Sequence, residues 1–231
     1  MKNAILVYLE QCPPALELFR RLTSAGHVYL IGGVLREYLD HQRIESLRDV
    51  DIIIDVQDTD LWSSILSDYS FSTNRFGGNK LICSDLLLDV WSIETTWAFR
   101  NGIIQCPPRD YVKNLPLTVF LNIDSIIYDW DNEVWLDSIY QEAMETRMLD
   151  IVLPDNPQLL LNIVRTIVLK KRYQMSLSDQ LQKVVLNCYQ HSMNLSAFCQ
   201  TLYDEQIRRY QKPVLSKEEL RNEICVLLKF S

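Results

Sequence analysis

Hydrophobic periodicity changes near residue 137, and this change limits the folds open to the chain. Before that point, short apolar runs of the β type alternate with helical segments. After it, apolar residues recur at helical spacing over 158–173, 178–190, 195–210 and 217–228. We therefore expect an α+β fold, with a mixed α/β head over residues 1–137 and an all-helical part over residues 138–231.

The order of elements in the head follows from the same patterns. Helical spacing predicts helices over residues 14–22, 34–40 and 60–68. Apolar runs predict strands over 27–31, 51–55 and 122–128, and a hairpin of 80–83 with 86–91 that turns at Ser84-Asp85. A mixed sheet with flanking helices is the arrangement that buries these runs.

Composition narrows the class of protein. With 48% apolar and 23% charged residues in 231, the chain is expected to fold around a sizeable core. No apolar stretch is long enough to cross a bilayer, so we expect no membrane association and a cytoplasmic location. A net charge of −7 argues against a broad electrostatic grip on long nucleic acid, but is compatible with a nucleotide or a short acceptor.

The six cysteines are scattered without a CxxC pair, and the chain has three histidines. Neither a zinc site nor a disulfide framework is indicated.

A Gly32-Gly33 pair stands between a predicted strand and a predicted helix. Two glycines at such a junction let the backbone approach an anion, while the helix directs its N–H groups and positive dipole end towards it. The pair therefore predicts a phosphate cradle, and the alternative is a tight turn with no ligand.

Carboxylates follow at the start of the next strand, in Asp49-Val50-Asp51. Residues i and i+2 of a strand project to the same side, and two adjacent carboxylates repel unless a cation lies between them. Hard oxygen ligands of this kind suit Mg²⁺ or Mn²⁺. Asp89, which interrupts the apolar run 86–91, is a candidate third ligand for a two-metal site. The alternatives are a solvated strand end for Asp49 and Asp51, and a strand end near solvent for Asp89.

These motifs together resemble a known family. The segment from Tyr29 to Glu37, followed by Asp49-Val50-Asp51-Ile52, is similar to the signature of class II CCA-adding enzymes and bacterial poly(A) polymerases. Those enzymes belong to the polymerase-β-like nucleotidyltransferase superfamily. The resemblance continues more weakly through Asp89-Val90, through residues 121–129 and into residues 156–165, which look like the family's first neck helix.

The resemblance implies roles for particular residues. Asp49 and Asp51 would coordinate both metals, and Asp89 would help to bind the catalytic one and orient the acceptor hydroxyl. Gly32, Gly33 and Arg36 would serve the triphosphate. Arg165 is the neck-helix arginine that the chain retains, and its alternative is a residue that flanks the apolar face of that helix.

The chain also departs from the family. Pro116-Leu117-Thr118 stands where the family carries an Arg-Arg-Asp motif. The base-reading Asp and Arg of the family fall on Asn156 and Leu159, and a further helix Arg falls on Asn162. Since reading a base edge needs hydrogen-bonding groups at fixed positions, selection of C and then A is not expected to carry over.

The sequence thus predicts a metal-dependent nucleotidyltransferase that moves an NMP or dNMP from a nucleoside triphosphate to an acceptor hydroxyl and releases pyrophosphate. Three acceptors remain open: a short nucleic-acid 3′ end, a nucleotide in the synthesis of an oligonucleotide signal, and a protein side chain. The alternative function is a catalytically weak nucleotide-binding regulatory, toxin–antitoxin or defence module with the same fold.

Overall fold

The computed structural model describes residues 1–44, 49–69, 71–74, 76–83 and 86–229. The chain forms two compact units. The first comprises Met1–Val119 and Asp124–Ile139, and the second comprises Phe120–Ile123 and the chain from Tyr140 onward. The assignment of residues 1–137 and 138–231 as functional head and neck-like domains stays a prediction.

The first unit is built on a seven-stranded mixed sheet. Its strands are β1 (Gly26–Ile31), β2 (Asp49–Val56), β3 (Phe71–Thr73), β4 (Asn79–Cys83), β5 (Leu86–Ser92), β6 (Ile127–Asp129) and β7 (Val134–Leu136). Its helices are α1 (Lys2–Glu10), α2 (Pro13–Ala25), α3 (Gly33–His41), α4 (Thr59–Asp68), α5 (Trp97–Arg100) and α6 (Tyr111–Asn114). The mixed sheet with flanking helices confirms the predicted fold class.

The sheet has the strand order β3-β4-β5-β2-β1-β6-β7. β2 pairs with β5 in parallel and with β1 in antiparallel orientation. This central position explains the unbroken apolar run of β2: Ile52, Ile53 and Ile54 are all fully buried, as strands covered on both faces require. The core of the first unit therefore lies around the strand that carries Asp49 and Asp51.

Most of the predicted elements of the head are present within a few residues of their predicted ends. The predicted strand at 122–128 is an exception, because Asn122–Asp124 forms a 3₁₀ turn and only Ile127–Asp129 is a strand. The Asn122 side chain explains the turn: its Oδ1 accepts hydrogen bonds from the N–H groups of Ile123 and Asp150. Such local side-chain bonds compete with a strand ladder. The predicted turn of the β4–β5 hairpin at Ser84-Asp85 lies outside the described residues.

Helices dominate the second unit. It contains α8 (Leu159–Tyr173), α9 (Asp179–Gln190), α10 (Leu195–Tyr210) and α11 (Lys217–Lys229), together with most of α7 (Ser138–Thr146). The unit also contains two two-residue strands, β8 (Met148–Leu149) and β9 (Ser176–Leu177), which pair in parallel. Hydrophobic periodicity does not predict such short strands, because two residues carry no period.

Ion pairs join α8 to α11. Lys170 pairs with Glu223 and Lys171 with Glu219, so these lysines at the end of α8 are engaged within the second unit.

Among the described residues, no helix is both long enough and apolar enough to cross a bilayer.

Candidate active site

Strand register brings two of the predicted carboxylates together. In the parallel pair of β2 and β5, Asp51 lies directly opposite Asp89, and strands paired in this way run about 5 Å apart. Asp49 precedes Asp51 by two residues on β2, so it projects to the same side of the sheet. The predicted set of Asp49, Asp51 and Asp89 is therefore confined to two neighbouring strands of the first unit.

The Gly32-Gly33 junction lies beside this set. In the antiparallel pair of β1 and β2, Ile31 is opposite Asp51, so the turn after β1 begins next to that carboxylate. Gly32 has φ +81°, a backbone conformation that residues with a side chain rarely adopt. A Cβ at this position would lie 2.9 Å from Asp51 Oδ2. Gly33 is the first residue of α3, and apart from its chain neighbours and the backbone of that helix, a Cβ there would meet no atom of the described residues within 4 Å. Among the described residues, the space at Gly33 is thus open, one residue after the glycine that lies against Asp51.

Asp89 is buried and engaged by two donors. It has 6% of its surface exposed, in the middle of β5, so the strand-end alternative does not describe it. Lys80 Nζ donates to Asp89 Oδ2 and Asn74 Nδ2 donates to Asp89 Oδ1, each at 3.0 Å. Neither partner of Asp89 is among the residues predicted from the sequence.

A signal for one of these partners was present in the sequence. A two-residue turn at Ser84-Asp85 places Cys83 opposite Leu86, and counting back along both strands then places Lys80 opposite Asp89. The observed register of β4 and β5 has both of these pairs.

The donor chemistry of the carboxylates determines how well a metal ion fits. Asp49 and Asp51 offer hard oxygens of the kind that Mg²⁺ and Mn²⁺ prefer. One oxygen of Asp89 already accepts a hydrogen bond from Lys80, and the other accepts one from Asn74. In the part of the chain that the structure describes, no group of three or more His, Cys, Asp or Glu side chains is arranged to hold a metal ion. Asp49 and Asp51 thus have the donor chemistry of a divalent-cation site, and ligation of a metal ion by Asp49, Asp51 and Asp89 stays a prediction.

Arg36 lies in the first turn of α3 and forms an ion pair with Asp124. Both side chains are well buried, with 13% and 5% of their surface exposed. Asp124 lies within the family-like segment of the sequence but has no predicted role, because it is far from Arg36 in the chain. The pair ties α3 to the segment before β6, and the predicted role of Arg36 towards a triphosphate stays a prediction.

Arg165 belongs to the second unit, where it lies partly buried on α8. It is therefore not among the residues that the sheet of the first unit brings together. The neighbouring Asn162 is buried, and in the described structure its Nδ2 has no hydrogen-bond partner.

The positions that depart from the family have apolar or short polar side chains in the structure as well. Pro116-Leu117-Thr118 lies in a 3₁₀ turn, and the Pro116 carbonyl accepts a hydrogen bond from Ser125 Oγ at 2.7 Å. Asn156 accepts from the N–H of Gln158 just before α8, and Leu159 begins that helix. None of these three segments supplies the charged side chains of the family motifs.

Solved structures share this fold. A CCA-adding enzyme in complex with ATP superposes with a TM-score of 0.62 at 14% identity, over 95% of this chain and 53% of that one. The chain has the fold of a CCA-adding enzyme. A Thermotoga maritima CCA-adding enzyme complexed with tRNA gives 0.60 at 15% identity, over 93% and 51%. A tRNA-processing enzyme in an apo form gives 0.59 at 16% identity, over 95% and 56%.

The CCA-adding-enzyme fold confirms the resemblance found in the sequence at the level of structure. The chain spans little more than half the length of the enzymes that it matches. No protein-family model and no curated protein matches the sequence.

Proposed function

We propose that this chain is a metal-dependent nucleotidyltransferase that moves a nucleoside monophosphate from a nucleoside triphosphate to an acceptor hydroxyl. The observation that supports it best is the in-register pair of Asp51 and Asp89, with Asp49 two residues away and the Gly32 turn against Asp51. Carboxylates therefore lie beside a helix N-terminus. The carboxylates suit cation binding and the helix N-terminus suits phosphate binding, and nucleotidyl transfer requires both.

The reaction is a displacement at the α-phosphorus. The acceptor oxygen forms a bond to phosphorus while the bond to the oxygen that bridges the α- and β-phosphates breaks, and pyrophosphate leaves with that electron pair. The proton of the acceptor hydroxyl passes to a carboxylate or to water. Such a reaction requires positioning and charge stabilisation more than covalent chemistry from the protein.

Each part of the site has a task in this reaction. Asp49 and Asp51 would hold a divalent cation, which would supply positive charge to neutralise the phosphate oxygens. The first N–H groups of α3 face the phosphates, and Gly33 leaves room for them because it has no side chain. The Arg36–Asp124 pair holds α3 in place, so these N–H groups stay directed at the ligand.

Three acceptors remain within the proposal: a short nucleic-acid 3′ end, a nucleotide and a protein side chain. The Thermotoga maritima neighbour is complexed with tRNA, but it is nearly twice as long as the part of it that this chain matches. The net charge of −7 and the residues Asn156 and Leu159 at the base-reading positions favour a small or protein-borne acceptor over tRNA. The proposed cofactor is Mg²⁺ or Mn²⁺. A cytoplasmic location is also part of the proposal.

The test is a label-transfer assay. The purified chain is incubated with each α-³²P-labelled NTP and dNTP and with Mg²⁺ or Mn²⁺, and protein-bound, oligomeric and free label are separated while pyrophosphate is measured. One nucleotide is expected to give a labelled product and a matching amount of pyrophosphate. The proposal fails if no nucleotide binds and no pyrophosphate appears with any acceptor or metal.

Variants of one strand provide the matched controls. Asp49→Asn and Asp51→Asn keep side-chain size but remove the anionic ligand, and each is expected to lower turnover by about 100-fold or more. Asp55→Asn changes the same residue type at the far end of β2 and is expected to retain activity. Equal activity of Asp51→Asn and Asp55→Asn would contradict the assignment.

A second candidate function is a nucleotide-binding module without turnover. The engagement of both Asp89 oxygens by Lys80 and Asn74 favours it, because the third carboxylate is then less available for chemistry. This candidate predicts tight nucleotide binding that Asp49→Asn weakens, with no pyrophosphate release by the wild type.

A further inference from the structure

A lysine and two carboxylates form a row across three neighbouring strands. Asp51 on β2 is opposite Asp89 on β5, and Asp89 is in turn opposite Lys80 on β4. The row runs perpendicular to the strands, so each side chain has the next one as its direct neighbour on the same face. A cationic side chain is therefore built into the sheet beside the proposed metal-binding carboxylates.

The pair of Lys80 and Asp89 is shielded from water. The Lys80 side chain is 22% exposed and that of Asp89 is 9% exposed, and their charged atoms are 3.0 Å apart. A charge-assisted hydrogen bond in such a setting is stronger and better ordered than one between exposed side chains. Removing either partner would leave the other buried without a counter-charge. The lysine is thus a constant feature of the folded sheet.

The second oxygen of Asp89 is fixed from another direction. Asn74 Nδ2 donates to it, while Asn74 Oδ1 accepts from the N–H groups of Phe76 and Gly78 at 2.9 and 3.0 Å. Because these bonds use the amide at both ends, Asn74 cannot rotate without breaking the turn that precedes β4. The Asp89 carboxylate is therefore held in one orientation by two donors.

We propose that Lys80 is a positioning residue that acts as a resident cation of the centre, so that the site takes one divalent cation, on Asp49 and Asp51, instead of two. This inference rests on the proposed function and specifies the metal requirement of the same site. A second divalent cation on Asp89 would displace Lys80 Nζ from Oδ2 and would then be repelled by the nearby ammonium. The lysine supplies at Asp89 the positive charge that a second metal ion would otherwise bring.

The experiment measures how many Mn²⁺ ions bind, independently of turnover. Free Mn²⁺ is followed by electron paramagnetic resonance during titration of the full chain, in the presence of a nucleoside triphosphate analogue that cannot be cleaved between the α- and β-phosphates. The wild type is expected to bind one Mn²⁺ per chain, and Lys80→Met is expected to bind two. Lys80→Arg keeps the charge and is expected to bind one.

Controls separate charge from folding. Lys183→Met removes an exposed lysine of α9 in the second unit and is expected to leave the count at one. If Lys80→Met does not fold by circular dichroism, Lys80→Gln keeps a donor for Asp89 while removing the charge, and it is expected to bind two. A count of two for the wild type, or of one for the folded charge-removing variant, overturns the inference while the proposed function stands.

The failure of the proposed function gives a different result. If neither Mn²⁺ nor the nucleotide analogue binds to the wild type or to Lys80→Met, both proposals are overturned.

A second readout uses the natural reaction: the dependence of the initial rate on Mn²⁺ concentration is expected to be first order in the wild type and to approach second order in Lys80→Met. A purely structural lysine would change stability without changing this order.

Discussion

The adjacent glycines of the β1–α3 junction offer a matched pair of substitutions with opposite expected effects. Gly32→Ala places a side chain on a backbone with φ +81° and brings its Cβ to 2.9 Å from Asp51 Oδ2. Gly33→Ala adds the same methyl group one residue later, where no neighbouring element of the described structure comes within 4 Å. The two variants therefore differ in backbone strain and in which neighbour the methyl group meets.

The expected change in stability follows from these environments. A residue forced into a sparsely populated backbone region costs about 1–3 kcal/mol, so Gly32→Ala is expected to lower the free energy of unfolding by that amount. Alanine in place of glycine at a compatible position stabilises a chain by about 0.4–1 kcal/mol, through the lower entropy of the unfolded state. Gly33→Ala is thus expected to equal or exceed the wild type, with a gap of about 1.5–4 kcal/mol between the variants.

Urea unfolding followed by tryptophan fluorescence measures this gap, since the chain has 5 tryptophans. The same proteins are then tested for nucleoside triphosphate binding by equilibrium dialysis. If phosphate occupies the open space beside Gly33, the folded Gly33→Ala variant is expected to bind about tenfold more weakly or worse, a loss of about 1.4 kcal/mol. Unchanged binding by Gly33→Ala would show a tight turn without a ligand, and a fully stable Gly32→Ala would refute the strain assigned to Gly32.

Two further predictions concern stability. Burial, followed by the nearby Asp129, Asp55 and Asp131 carboxylates, raises the pKa of Tyr29 to about 12 from 10. The folded state therefore keeps this hydroxyl neutral, and the stabilisation is complete below pH 10 and is lost as the pH rises to 12. The loss amounts to about 2–3 kcal/mol in urea unfolding from pH 9 to 12, and the pH dependence of Tyr29→Phe is expected to lack this contribution. Asn162→Leu is expected to raise the free energy of unfolding by about 1 kcal/mol, because it removes a buried amide donor without a partner in the described structure. A destabilised Asn162→Leu would show that the amide is satisfied in solution.

Sequence patterns predicted the central part of the fold well. The strands β1 and β2 and the helix α3 follow from an apolar run, a Gly-Gly stop and a second apolar run, and each is present. Their prediction succeeded because fully buried strands show long apolar runs and because glycine marks a sharp change of direction. The sequence also identifies the two strands that carry Asp51 and Asp89, but it does not establish that these strands are neighbours, which the sheet topology shows.

The remaining features depend on contacts that no local pattern records. The ion pair of Arg36 with Asp124 joins residues far apart in the chain, and neither neighbouring sequence indicates the other. The strand predicted at 122–128 was wrong because Asn122 Oδ1 accepts hydrogen bonds from the N–H groups of Ile123 and of the distant Asp150, which an apolar pattern does not reveal. Lys80 as the partner of Asp89 could have been predicted by using the predicted hairpin turn to align the residues of β4 and β5.

The position of Lys80 also has a consequence for the order in which the sheet forms. The β4–β5 hairpin joins segments that are close in sequence, whereas the parallel pairing of β5 with β2 closes a longer loop that contains α4 and β3. Local pairings form faster than non-local ones, so the hairpin is expected to form before it docks. Asp89 then reaches Asp51 with its charge already balanced by Lys80. During folding, the lysine allows two acidic strands to meet without the mutual repulsion that would slow their association.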